Sequence, residues 1–452
     1  MPNLLDARLR HAILFLQQMD AANDRYLVGD SEAAAALLDF DHNQANIIAA
    51  QKWLAEYVPE IMDEGIQSDE LARAIVDLCN AYPDAGAYLV SLRLGPNERI
   101  QWLQAALNAS QRLGNAITTQ AHLGNLGLAH DELGNFSTSI EYLEQALKLA
   151  EQIGDRYHQG AWLGNLGNIY AALGEHTKAI QFHERHLVIA QEIKDERGEG
   201  HALANLGVSL AYLGQSEKAL ENYQRFLELA VQRGDRHDES QARLNIGLAY
   251  YDMGQLDAAT DALRAAQVIC SELNDPLTQA LVMGSLADIN IERKDYQAAI
   301  QTLHQALEML NKAHHDIQAE LRLLHSLGNA YNASADYPRA LDVYSRQYTL
   351  AESVGAKANM CNVLANQTSV YCALENLEQA LELGQRGLQL AQAISSLSNE
   401  AFIRWQLGLI YEKCGDKEKA IGEMKIAIQI EAQVGGVNLA THSRYLERLN
   451  MV

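Results

Sequence analysis

The chain has 452 residues, 48% hydrophobic and 21% charged, with only 6 prolines and a formal net charge of −23. This balance supplies apolar surface for an extended core and excludes a disordered chain, while abundant Ala, Leu, Gln and Glu with scarce proline suit helices and argue against a sandwich or barrel. Such an acidic surface favours solubility and basic partners and repels phosphate and anionic lipid, so neither nucleic acid nor membrane is an expected partner. The five cysteines, Cys79, Cys270, Cys361, Cys372 and Cys414, form no CxxC pair and read as reduced thiols. No apolar run approaches the roughly 18 residues that span a membrane. The opening residues lack signal-peptide character. A soluble, cytoplasmic protein is expected.

In chain order, residues 1–66 read as an N-terminal helical subdomain, with helical stretches at 9–20 and 43–57. Residues 67–115 read as a degenerate first repeat over 71–114, with Trp102 in its second helix and Leu113-Gly114-Asn115 as its break. Eight repeats then fill 116–435, recognised by self-similarity at a fixed step. LGNLGLAHDELGN from Leu123, LGNLGNIYAALGE from Leu163 and LANLGVSLAYLGQ from Leu203 lie 40 residues apart. RLNIGLAYYDMGQ from Arg243 and MGSLADINIERKD from Met283 keep that step. LHSLGNAYNASAD at Leu324 comes one residue late, and LANQTSVYCALEN from Leu364 and RWQLGLIYEKCGD from Arg404 return to 40. Gly435-Gly436 breaks the pattern, and 436–452 reads as a more polar capping helix.

Each repeat carries two helical patterns, A and B. Helix A closes at Gly134, Gly174, Gly214, Gly254 or Gly415, where a left-handed C-cap stops a helix. Helix B opens around a small residue, as at Ala179, Ala219, Ala259, Ala299, Ala340, Ala380 and Ala420, which lets two helices approach closely. Gly154-Asp155, Lys194-Asp195, Gly234-Asp235 and Asn274-Asp275 suit turns between repeats. His314-His315 falls in such a connection and reads as solvated.

A large apolar residue, then Leu-Gly, then Tyr, then a small residue on helix B, as in Leu163, Leu166-Gly167, Tyr170 and Ala179, resembles the tetratricopeptide repeat. The usual unit has about 34 residues, and these carry about six more. The longer unit is similar to the repeats of kinesin light chains, of Pins-type scaffolds and of bacterial STAND-type regulators. The resemblance implies an all-α, right-handed solenoid of helix-turn-helix repeats that binds protein or peptide in its concave groove. Asn46-Ile-Ile-Ala-Ala-Gln-Lys-Trp53 resembles a segment preceding the repeats of STAND proteins. It implies an alternative role as the ligand-sensing arm of a signal-transduction or transcription regulator, with a nucleotide-binding or effector domain at the N-terminal end.

With Leu-Gly at positions 7 and 8, a turn of about 100° per residue gathers positions 4, 7, 8 and 11 on the packing seam. Positions 2, 6, 9 and 13 fall opposite, on the side that lines the concave groove of a tetratricopeptide superhelix. Position 6 reads Asn125, Asn165, Asn205, Asn245, Ser285, Ser326, Asn366 and Gln406, while position 9 includes Asn168 and Asn329. Asparagine in mid-helix costs roughly 0.5 kcal/mol against alanine, so five in register need a reason. An amide both donates and accepts, so a row of them suits the backbone of an extended peptide; bridging between adjacent A helices is the competing reading. Arg322, His325 and Trp405, also on A helices, are candidate anchors.

No GxxxxGK[ST] or HExxH occurs, and the repeated LGNLG sits mid-helix without a preceding strand. His183 and His186 stand three apart on one B helix, with His176 nearby, but no further ligand accompanies them. No nucleophile–base pair is evident. The sequence therefore points to a non-enzymatic scaffold with no catalytic residue, no metal and no cofactor.

Overall fold

The computed structural model describes residues 2–28, 30–63, 70–312, 316–394, 396–434 and 439–451. Among the described residues the chain is all-α, with 22 helices and no strand. It forms two compact units, Met1–Ser209 and Leu210–Val452, divided within a helix of the third repeat. The paired histidines His314-His315 and the Gly435-Gly436 break lie outside the described residues.

In the first unit, α1 (Pro2–Val28) and α2 (Asp30–Asp63) form a hairpin much longer than the stretches marked at 9–20 and 43–57. It packs on α3 (Glu70–Ala85), α4 (Ala87–Arg93) and α5 (Pro96–Leu113), sharing a core of Met19, Phe40, Leu54, Tyr82, Leu89 and Trp102. The 71–114 segment is thus not a simple helix pair, because Gly86 breaks its first helix. A Cβ on Gly86 would stand 2.5 Å from Met19 Cγ, so the hairpin packs where a side chain would be. The Tyr88 N–H freed by that break donates to Asn23 Oδ1 at 3.1 Å. Next come α6 (Ala116–Glu132) and α7 (Phe136–Ile153), then α8 (Arg156–Ala172) and α9 (His176–Ile193), then α10 (Glu196–Tyr212), which enters the second unit.

The second unit continues with α11 (Ser216–Arg233), α12 (Arg236–Asp252), α13 (Leu256–Leu273), α14 (Pro276–Glu292) and α15 (Tyr296–Lys312). It goes on through α16 (Ile317–Ala333), α17 (Tyr337–Ser353), α18 (Lys357–Ala373), α19 (Leu377–Ala393), α20 (Leu397–Lys413) and α21 (Lys417–Val434) to α22 (Leu439–Met451). Every even-numbered helix from α6 to α20 is the A helix of a repeat, and the next is its B helix.

Local chemistry explains the regularity. The A-to-B turn is left-handed at Gly134, Gly174, Gly214, Gly254 and Gly415, with φ from 72° to 80°. Lys294, Ala335 and Glu375 hold the same conformation without glycine, at φ of 64°, 60° and 59°. Asp155, Asp235, Asp275 and Asp316 cap their A helices by accepting the N–H three residues on, which places a negative charge at the positive end of each helix. Across the seam, a Cβ on Gly127 would lie 2.7 Å from Leu143 Cγ, so α6 and α7 meet backbone to side chain. The small B-helix alanines at 179, 219, 259, 299, 340, 380 and 420 are fully buried in that contact.

Candidate ligand-binding site

The A helices present the polar positions unequally. In the first unit Asn125, Asn165 and Asn205 are half-buried and Asn168 is exposed. Asn205 Nδ2 donates to Asn168 Oδ1 at 2.9 Å, tying position 6 of one repeat to position 9 of the repeat before it. In the second unit Asn366 Nδ2 does the same to Asn329 Oδ1 at 3.3 Å. Bridging between A helices is therefore real at two places. An amide has two N–H groups and two lone pairs, so one such bond leaves capacity for a ligand. Asn245 and Gln406 are half-buried.

The expectation of one open polar line fails at two positions. Ser285 and Ser326 are each only 3% exposed. Ser285 Oγ donates to Leu281 O at 3.1 Å and accepts from Arg322 NH2 at 3.1 Å. Ser326 serves Asp288 by hydrogen bonding. A hydroxyl is short enough to turn back to its own helix, which an asparagine amide does less readily. The candidate anchors are also engaged. Arg322 holds Ser285 and offsets the burial that raises the carboxyls of Asp252 and Asp288. His325 Nε2 lies 3.1 Å from Asn329 Nδ2, and burial lowers its pKa. Trp405 is a correction: it is buried beneath α22, stacked on His442 at 3.6 Å and edge-on to Tyr445. Its indole is part of the core that α20 shares with α21 and α22.

The structure adds one feature that a search along position 6 misses. A cleft of about 360 Å³ opens in the first unit between α8, α9 and α10. Asn165, Asn168, Asn205, His186 and Asp195 line it, and the His186 ring lies against Gly164. His186 Nδ1 is buried without a hydrogen-bond partner. Burial lowers the pKa of this imidazole, Asp195 opposes that shift, and His201 adds to it. Its neighbour His183 is fully buried under Gly167, with neither ring nitrogen bonded and its pKa pushed down to about 4, mainly by burial. The sequence signal for the cleft is glycine at 160 and 198 where the preceding repeat has Gln120 and His158, visible only when repeats are compared column by column.

Tetratricopeptide repeat family models match residues 158–232, 202–270 and 238–312, with related models at 123–153 and 323–358. Tetratricopeptide repeat protein 29 of Trypanosoma brucei brucei (strain 927/4 GUTat10.1) is 27% identical over 140 residues, which cover 29% of this chain and 28% of that relative. The match thus spans well under a third of the relative's length. Among solved structures, a Rap protein complexed with competence and sporulation factor aligns over 87% of this chain and 99% of its own, with a TM-score of 0.54 at 15% identity. The apo form of the quorum sensor NprR from B. thuringiensis aligns over 78% and 97%, with a TM-score of 0.55 at 16% identity. These likenesses concern the fold. The helix pairs, their left-handed turns, their glycine seams and the matching family models together establish that the chain carries tetratricopeptide repeats, here in a 40-residue form.

Proposed function

We propose that this protein is a non-enzymatic binding scaffold whose A helices hold an extended peptide or partner segment through side-chain amides. The observation that carries the reading is the cleft of about 360 Å³ walled by Asn165, Asn168 and Asn205. Amide groups with spare donors and acceptors match the repeating N–H and C=O of an extended backbone, whatever its side chains. A solved neighbour of the same fold is described as a complex with competence and sporulation factor, which gives the reading a precedent at the level of fold. In the second unit Asn245, Asn329, Asn366 and Gln406 are the candidate contacts, whereas Ser285 and Ser326 act by holding Arg322 and Asp288.

The test is to select dodecapeptides from a random library on the full chain and measure their Kd on an Asn165→Ala/Asn205→Ala variant. Affinity is expected to fall at least tenfold, about 1.4 kcal/mol, with Tm within a few degrees of the parent. Unchanged affinity with a lowered Tm would assign the amides to bridging alone.

A second reading, the sensing arm of a STAND-like regulator, draws on the exposed apolar side chains of the N-terminal hairpin. Leu14, Leu27 and Leu38 are 48%, 56% and 69% exposed there. In that reading a selected peptide slows hydrogen exchange in α1 and α2 as well as in α8–α10; exchange unchanged in the hairpin counts against it.

A further inference from the structure

We propose that the cleft between α8, α9 and α10 receives a planar aromatic ring carrying an N–H donor, of the tryptophan or histidine side-chain class, presented by the bound peptide. The inference rests on the peptide-binding reading and adds the side chain that the peptide must bring.

Its basis is a comparison of two successive junctions. The 40-residue step places Gln120, Ala146, His158 and Trp162 in register with Gly160, His186, Gly198 and Ala202. At the α6–α8 junction the first set builds a closed plug. The Trp162 indole fills the space over Gly124, where a Cβ would stand 2.2 Å from its ring. Its Nε1–H donates to Gln120 Oε1 at 2.7 Å, and its ring stacks on His158 with centroids 5.7 Å apart. Asp155 Oδ2 anchors the plug, accepting from Gln120 Nε2 at 3.4 Å and lying 2.7 Å from His158 Nδ1.

At the α8–α10 junction the plug is missing. Glycine stands in place of Gln120 and of His158, and alanine in place of the indole. The space over Gly164 is taken instead by the imidazole of His186, whose Nδ1 lies 3.0 Å from the position of a Cβ. That imidazole takes the place of the indole, whereas glycine replaces both Gln120 and His158, and Gly160 and Gly198 line a cleft of about 360 Å³. That volume lies within the range of small-ligand pockets.

The carboxylate on which the plug rests is still in place, as Asp195 in register with Asp155. Asp195 keeps its capping role, its Oδ1 accepting from Gly198 N–H at 2.9 Å, and leaves Oδ2 for a donor from outside. His186 Nδ1 is buried without a partner. A flat ring with an N–H fits between an imidazole face and a carboxylate, the partners that Trp162 and His158 have one repeat earlier. The amides of Asn165, Asn168 and Asn205 run along the same wall, so a peptide main chain held there delivers a side chain into the opening.

The test uses the full chain and three probes: N-acetyltryptophanamide, a capped alanine/serine heptapeptide with one central tryptophan, and the same peptide with alanine in its place. Calorimetry and ligand line broadening read the binding. The tryptophan peptide is expected to bind at least tenfold tighter than its alanine counterpart. The double variant His186→Ala/Ala202→Trp, which rebuilds the plug of the preceding junction, is expected to keep its Tm and lose that preference. Asp195→Asn retains the cap without the charge and checks the site without repacking; it is expected to weaken the tryptophan peptide several-fold. Equal binding of the two peptides overturns the proposal, as does no binding by any probe, or a preference that survives both variants. Equal binding lost on Asn165→Ala/Asn205→Ala would leave the peptide reading standing alone. N-acetyltryptophanamide binding abolished by the double variant, with peptides indifferent to the amide substitutions, would leave the ring site standing alone.

Discussion

His183 occupies a seam position where other repeats place Leu143, Leu263, Leu303 or Met424, and its imidazole lies against Gly167 with neither nitrogen bonded. Burial, reinforced by His186, pushes its pKa from 6.5 down to about 4. The unfolded chain therefore binds the extra proton between those values and the folded chain does not. Stability attributable to this residue is fully present above pH 6.5 and is lost as pH falls toward 4, by up to about 3 kcal/mol. His183→Leu, the choice of the preceding repeat, is expected to raise stability at pH 7 by about 1–3 kcal/mol, because an unsatisfied buried polar group disappears. Its advantage should widen on acidification from pH 6.5 to pH 4; denaturant melts of both proteins across that window give the comparison, and parallel curves would contradict it. Ala335 and Glu375 make a second case. Each sits in a left-handed turn that costs a residue with a Cβ about 1–2 kcal/mol, partly recovered by a stiffer unfolded chain. Ala335→Gly is expected to stabilise the protein by roughly 0.5–1 kcal/mol, and Gly134→Ala to destabilise it by a similar amount, both read from chemical denaturation.

Among helices, the parts legible in sequence were those where one residue type performs one local task. Glycine at 134 or 174 marks the end of an A helix because only glycine takes a left-handed turn without cost, and the turns at 294, 335 and 375 show that the geometry persists without the marker. The alanines at 179 and 219 mark the seam because nothing larger fits. Features set by tertiary partners were harder to read. Nothing near Gly86 announces that Met19, far away in the chain, packs where a side chain there would be. The position-6 row was legible as polar, but its exposure was not, since Ser285 is withdrawn by Arg322 from the following A helix. Trp405 looked like a groove aromatic because the helix that covers it reads as merely polar. The cleft was hidden for a different reason: it is lined where larger residues are absent, Gly160 for Gln120 and Gly198 for His158.

At the scale of the whole molecule, a repeat chain gains stability mainly from neighbouring helices, so damage at one end should fade with distance along the chain. Trp405 offers a clean place to measure that decay in the second unit. Its indole is buried between α20 and α22, stacked on His442, while His442 Nδ1 lies 2.8 Å from Glu431 Oε1 and Tyr445 donates to Glu412 Oε2 at 2.9 Å. Trp405→Ala removes the surface on which α22 rests and is expected to cost about 3–5 kcal/mol locally. If coupling is to nearest neighbours, hydrogen exchange should accelerate strongly in α20, α21 and α22, modestly in α18 and α19, and not at all in α6–α9 of the first unit. The geometry of the amide row and the cleft in the first unit would then be unaffected, because the helices that build them are many repeats away. Uniform acceleration in every helix would instead show that the chain opens as one cooperative block, and the two compact units would then not be independent in stability.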